Sequence, residues 1–260
     1  MNSVKIKTES FERLLQVMDD LRSKCPWDKV QTNETLRTLT IEETYELADA
    51  IIKDDNAEIC KELGDLLLHI VFYAKIGEEK ELFDIGDVIN GLVEKLIYRH
   101  PHIFAGIKVK DTNEVLENWE KLKLKEKEGN RTVLEGVPTS LPAMIKAYRI
   151  QDKARGVGFD WTERSQVWDK INEEIDELKA EIDKKDEQGI EEEFGDLFFA
   201  LINAARLYNI NPENALELTN RKFIKRFNYL EQQTIKKGLD LKKMTLPEMD
   251  IIWEKAKQVV

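Results

Sequence analysis

Cysteine, histidine, proline and glycine are all scarce in this chain of 260 residues, and each shortage removes a class of explanation. The two cysteines, Cys25 and Cys60, form neither a Cys-x-x-Cys pair nor any other metal-ligand spacing, so a disulfide scaffold and a thiolate metal site are both excluded. Free thiols and a reducing cytoplasm are expected. The three histidines, His69, His100 and His102, do not supply the Glu-x-x-His pairs of a helical di-iron centre. With 12 Gly and 6 Pro, the chain lacks the turn residues of a β-sandwich, and its 35% charged and 42% apolar residues suit solvated helices around compact cores. Long hydrophobic runs are missing too. Residues 66–76 are interrupted by His69 and Lys75, and residues 197–210 by Asn203 and Arg206, so neither approaches the roughly 20 residues that cross a bilayer. The opening MNSVKIKTESFERLL has no apolar segment followed by a cleavage site. Positive charge is in the minority: 40 Lys and Arg stand against 51 Asp and Glu, net −11, so the global field repels nucleic acid and anionic lipid alike.

What is present is helical periodicity. Phe11, Leu14, Leu15, Met18 and Leu21 mark one face of a helix ending before Cys25-Pro26. Further helices are predicted from about Thr35 to Lys53, Ala57 to Ile76, Phe83 to His100, and over the charged residues 113–128. The segment GNRTVLEGVPTSLP, residues 129–142, concentrates Gly, Pro, Ser and Thr and reads as the boundary between a domain over 1–128 and another over 143–260. Beyond a polar interval at 156–163, helices are predicted over 166–184, 190–208 and 212–236, with a short one opening at Pro247.

The two halves repeat each other. Sliding the sequence by 131 positions, Glu42 onto Glu173, superposes Glu43, Glu46, Leu47, Ile51, Asp55, Glu62, Gly64, Asp65 and Ala74 on identical residues. Shared composition explains repeated Glu and Leu, but not an unchanged spacing with a shared Gly-Asp. The fold class expected is therefore all-α, a tandem repeat of two helical-bundle domains.

Acidic residues dominate the repeated segment. Glu174 with Glu177, and Glu193 with Asp196, are one turn apart on their helices. Glu177 and Glu193 are symmetric about Lys185, as are Glu174 and Asp196; in the first half Glu46/Glu62 and Glu43/Asp65 share the midpoint Asp54. Residues equidistant from the turn of an antiparallel hairpin lie at the same height, so four carboxylates converge in each half. Beside apolar residues such a cluster must protonate or hold a cation. An all-oxygen donor set suits Mg²⁺, with Mn²⁺ as substitute. Lys170 lies one turn before Glu174, and Lys222 and Arg226 are one turn apart, an inventory able to neutralise an oligophosphate.

These residues resemble the MazG-type nucleoside triphosphate pyrophosphohydrolases in their tandem two-domain form, which carry Glu-Glu-x-x-Glu followed by Glu-x-x-Asp. The likeness extends to CPWD at 25–28, RHPHIF at 99–104, LEGVPTSLPA at 134–143, GVGFDW at 156–161, FGDLFFALIN at 194–203 and NRKFIKRF at 220–227. It implies a helical fold related to all-α dUTPases, a homodimer, Mg²⁺ dependence and hydrolysis of NTPs or dNTPs, ATP included, to the monophosphate and pyrophosphate. By position it implies metal ligation by Glu174, Glu177, Glu193 and Asp196, triphosphate contacts from Lys222 and Arg226, and nucleotide contacts from Asn203 and Trp253. Glu173, the acid outside the mirror pairs, is the candidate to orient or deprotonate the attacking water.

The halves are not equivalent. The first keeps its secondary set Glu43, Glu46, Glu62 and Asp65 and a basic pair, Lys95 and Arg99, but has Phe72 where the second has Asn203, and Leu39 where it has Lys170. The second half is expected to carry most of the activity and the first to be a weaker or structural copy. Two other readings fit the residues: a pyrophosphohydrolase narrow for dUTP or a modified nucleotide, and a non-catalytic helical module binding a partner protein.

Overall fold

The computed structural model describes residues 1–111, 114, 115, 118, 119, 122, 132–161 and 163–259, and every extended regular element among them is a helix. The helix expected over 113–128 and the opening residues of the 129–142 segment lie largely outside the described residues. No helix among the described residues is long and apolar enough to cross a membrane, and Cys25 and Cys60 are both free thiols. The chain divides into two compact units, Met1–Lys108 and Val109–Val260. The described part of the 129–142 segment is tied to the second unit: Lys153 Nζ donates to the Val133 carbonyl at 3.1 Å and Lys146 Nζ to the Thr139 carbonyl at 2.6 Å.

The first unit comprises α1 (Val4–Lys24), α2 (Pro26–Lys29), α3 (Asn33–Ile52), α4 (Asn56–Glu79), α5 (Ile85–Arg99) and α6 (Pro101–Phe104). Helix α1 starts earlier than its apolar stripe because the Ser3 hydroxyl caps the Ile6 amide. A reciprocal Thr32/Thr35 capping box opens α3, and the Asp55 carboxylate accepts from the Ala57 and Glu58 amides to open α4. Between them Asp54 takes a left-handed conformation (φ 55°), which folds α4 back against α3. The amphipathic stripe of α1 closes this hairpin: Phe11, Leu14 and Leu15 pack against a buried cluster of Met18, Leu36, Val71, Phe72 and Ile76. Each such side chain contributes about 1.5–3 kcal/mol by leaving water.

The second unit contains α7 (Ala143–Arg155), α8 (Gln166–Lys184), α9 (Glu187–Leu207), α10 (Pro212–Lys236), a 3-10 turn (Leu241–Lys243) and α11 (Leu246–Val259). Its α8/α9 hairpin copies α3/α4 at the turn. Lys185 takes the left-handed conformation (φ 57°) and the Asp186 carboxylate accepts from the Gln188 and Gly189 amides. Val167, Ile171, Ala200 and Ala204 form the buried seam, flanked by Ile175, Leu197 and Leu207. Helix α7 packs against α9 and α10, and α11 against α10. Because two of the four seam residues are alanines, the hairpin leaves space beside it.

Candidate functional site

In the second unit, carboxylate oxygens of Glu174, Glu177 and Glu193 lie within 4.8 Å of one another. The hairpin brings them together: Glu174 and Glu177 are one turn apart on α8, and Glu193 faces them from α9. Glu174 is buried, and its Oε1 is 2.8 Å from Lys170 Nζ, which also lies 2.8 Å from Glu173 Oε1. Those two hydrogen bonds push the Lys170 ammonium pKa upward. Glu193 shows no such partner among the described residues. Its Oε2 is shielded from water without a hydrogen bond among the described residues. Burial, then the neighbouring charges of Glu177, Asp196 and Glu174, raise its carboxyl above the usual range. An unpartnered carboxylate oxygen inside an all-oxygen cluster fits a hard divalent cation.

Asp196 stands outside the 4.8 Å set. It lines, with Lys170, Glu174 and Asn203, a cavity of about 820 Å³ in the second unit, a volume in the range of small-molecule sites. Phe159, Trp161 and Phe199 supply its aromatic wall. Lys222, Arg226 and Trp253 stand elsewhere in this unit. The first two are on α10, where Arg226 Nε is buried without a partner among the described residues, and the Trp253 ring packs on Phe223 with centroids 5.1 Å apart.

Sequence spacing left three residues of this cavity unassigned. Asp160 and Arg206 form a two-point ion pair, Nη1 to Oδ2 at 2.9 Å and Nη2 to Oδ1, and Arg206 also donates to Asn203 Oδ1 from Nε at 3.1 Å and Nη2 at 2.7 Å. Gln151 donates from Nε2 to the Phe199 carbonyl at 2.8 Å. A signal for Arg206 did exist: a cation interrupting an apolar helical run needs a partner. Nothing in local spacing marks Gln151.

The first unit repeats the cluster and differs around it. Oxygens of Glu43, Glu62 and Asp65 lie within 4.8 Å of one another, with Glu46 outside the set. Glu62 is 2% exposed and pairs with Lys61 Nζ at 2.6 Å through Oε1, leaving Oε2 without a partner among the described residues. Burial, and then Asp65 and Glu46, raise the Glu43 carboxyl. One repeat away from Ala200, Asn203 and Ala204 stand His69, Phe72 and Tyr73. Thr40 Oγ1 lies 2.7 Å from both His69 Nδ1 and the Tyr73 hydroxyl, and the Arg22 guanidinium sits 5.4 Å from the Phe72 ring centroid. Large side chains thus occupy the positions that are small or polar in the second unit. Lys95 and Arg99 lie on α5.

The chain matches the family model described as the MazG nucleotide pyrophosphohydrolase domain at residues 31–104 and 163–230, stretches that contain both hairpins. It is 41% identical over 255 residues to the nucleoside triphosphate pyrophosphohydrolase of Escherichia coli strain K12, covering 95% of this chain and 97% of that one. With the nucleoside triphosphate pyrophosphohydrolase/pyrophosphatase MazG of Thermotoga maritima it shares 43% identity over 250 residues, 95% of each chain. The nucleoside triphosphate pyrophosphohydrolase of Mycolicibacterium smegmatis is 38% identical over 154 residues, 56% of this chain and 47% of that one.

Proposed function

The chain belongs to the MazG nucleotide pyrophosphohydrolase family, and from that premise we propose that its second unit hydrolyses nucleoside triphosphates, ATP included, to the monophosphate and pyrophosphate with Mg²⁺ or Mn²⁺. The observation that carries this reading is the cluster of Glu174, Glu177 and Glu193, with its orphaned Glu193 Oε2, at the edge of a nucleotide-sized cavity. Glu174, Glu177 and Glu193 would hold the cation, with Asp196 beside them. When bound, such an ion neutralises phosphate charge and acidifies a water.

The chain's own side chains account for the rest. Lys170 brings a permanent positive charge to the cavity and couples Glu174 to Glu173 through its two 2.8 Å contacts. Glu173 is exposed and stands outside the ligand cluster, and its carboxylate oxygen not held by Lys170 would take a proton from the attacking water. Phe159, Trp161 and Phe199 offer faces on which a base stacks, and Asn203 adds a polar contact. A homodimer is part of the proposal: no residue of α5 is buried, although Val88, Ile89, Leu92, Val93 and Leu96 give it a continuous apolar face, which supports a second copy as its cover.

The test is direct. The purified chain is incubated with each triphosphate and Mg²⁺, then with chelator, and the products are identified. Monophosphate with pyrophosphate, lost on chelation, is expected. Diphosphate with orthophosphate, or turnover indifferent to chelator, overturns the reading, and sedimentation of a monomer overturns the dimer.

A further inference from the structure

Two amides on the wall of the second unit's cavity are each held in one orientation, and each leaves one polar atom over. Gln151, on α7 and 6% exposed, points Nε2 at the Phe199 carbonyl. A carbonyl accepts and never donates, so that contact identifies the nitrogen, and Oε1 faces the other way. There it is buried, with no hydrogen-bond partner among the described residues. Such an acceptor carries a desolvation cost until a donor reaches it.

Asn203 is one helical turn beyond Phe199 on α9. Its Oδ1 accepts from Arg206 twice, so the oxygen is identified by the guanidinium and Nδ2 remains as the donor. Arg206 is itself pinned by Asp160. Gln151, Asn203, Asp160 and Arg206 all line the same cavity, alongside Phe159 and Trp161. Two residues lining one cavity therefore each carry one uncommitted polar atom of fixed identity, an acceptor on Gln151 and a donor on Asn203, beside aromatic side chains.

We infer that Gln151 Oε1 and Asn203 Nδ2 form an acceptor–donor pair that reads the edge of the nucleobase, with Arg206 and Asp160 as positioning residues. This rests on the nucleotide reading above and adds its specificity rule. The Watson–Crick edge of every common base sets a donor beside an acceptor: N6–H and N1 in adenine, N4–H and N3 in cytosine, N1–H and O6 in guanine, N3–H and O4 in uracil. A single pair of side-chain atoms thus admits all four and demands only that a donor be present. A base held by stacking alone would carry no such demand.

The test compares ATP with purine riboside triphosphate, which keeps N1 but lacks the 6-amino group. The wild-type chain is expected to prefer ATP by about tenfold or more in kcat/KM, the scale of one buried hydrogen bond. Gln151→Met should bring ATP down to the level of the analogue, a collapse of the ratio that a general packing defect, which lowers both substrates in proportion, would not produce. Asn203→Asp retains an acceptor for Arg206 but removes the donor, and should weaken both substrates alike, since both present N1. Equal use of ATP and analogue by the wild type, or an intact preference in Gln151→Met, overturns the base-edge assignment while leaving the hydrolase reading standing. Failure of the wild type to hydrolyse any triphosphate with Mg²⁺ overturns both.

Discussion

Replacing Asp160 by Asn keeps the shape of the Asp160–Arg206 contact and removes its charge. The Arg206 side chain is 6% exposed and that of Asp160 20%. Breaking a fully buried pair by neutralising one member costs about 3–5 kcal/mol, because the other charge stays buried. Here Asp160 keeps partial access to solvent, and Asn203 Oδ1 still accepts from Arg206, so the expected loss is about 2 kcal/mol. With urea m-values of about 1–3 kcal/mol/M, that moves the unfolding midpoint of the second unit by roughly 1 M, measured by circular dichroism. Adding Arg206→Met removes the stranded cation and should restore about half of the loss. The pH dependence follows from the same pair. Burial alone would push the Asp160 carboxyl up, but the Arg206 hydrogen bond and charge, the Trp161 amide and Arg155 outweigh it and hold the carboxyl below its ordinary 3.8. The stabilisation is therefore complete above 3.8 and disappears as pH falls through the lower folded value, and Asp160→Asn should lack that part of the acid limb. A loss under about 0.5 kcal/mol, where exposed pairs fall, or a double variant no more stable than Asp160→Asn, would refute the reasoning.

Glu193→Gln should cut pyrophosphate release by at least about 100-fold yet raise the thermal midpoint of the metal-free chain, since it removes a carboxylate crowded by Glu177, Asp196 and Glu174; a lowered midpoint contradicts the cluster's electrostatics. Burial lowers the His69 pKa, with Asp65 opposing. The first unit should therefore be fully stable above 6.5, the ordinary value, and weaken as pH falls below it; His69→Gln should flatten that slope in thermal melts, and an unchanged slope would reject the assignment. Ala200→His copies the first unit's side chain into the second unit's cavity. Calorimetry should then show nucleotide affinity falling more than about tenfold while the Mg²⁺-induced rise in melting temperature persists, and intact affinity would rule out the cavity as the nucleotide site.

The hairpins were legible because two independent signals coincide in them. Start and stop signals bounded α3, α4, α8 and α9, and mirror symmetry of the acids located Asp54 and Lys185, the residues that adopt left-handed turns. The same symmetry led to four converging carboxylates per half, of which the structure gathers three within 4.8 Å, leaving Asp196 and Glu46 outside the sets. Mirror spacing fixes height along a helix pair but not how far each side chain leans toward the seam. What the sequence did not disclose depends on contacts between distant segments. Asp160, in the segment before α8, reaches Arg206 in the last turn of α9, and Gln151 reaches a backbone carbonyl, which no residue pattern records. The apolar stripe of α1 marked where the helix ends but carried no signal for its start, which the Ser3 cap sets.

The left-handed residue at each hairpin tip also fixes the phase of the returning helix. Successive residues of an α-helix are about 100° apart around its axis. One residue inserted beside Lys185 could leave both helices folded while rotating Glu193 away from Glu174 and Glu177. Loop length at this bend is therefore a chemical constraint, whereas extra residues in the surface connections of the chain would cost only the small entropy of a longer loop.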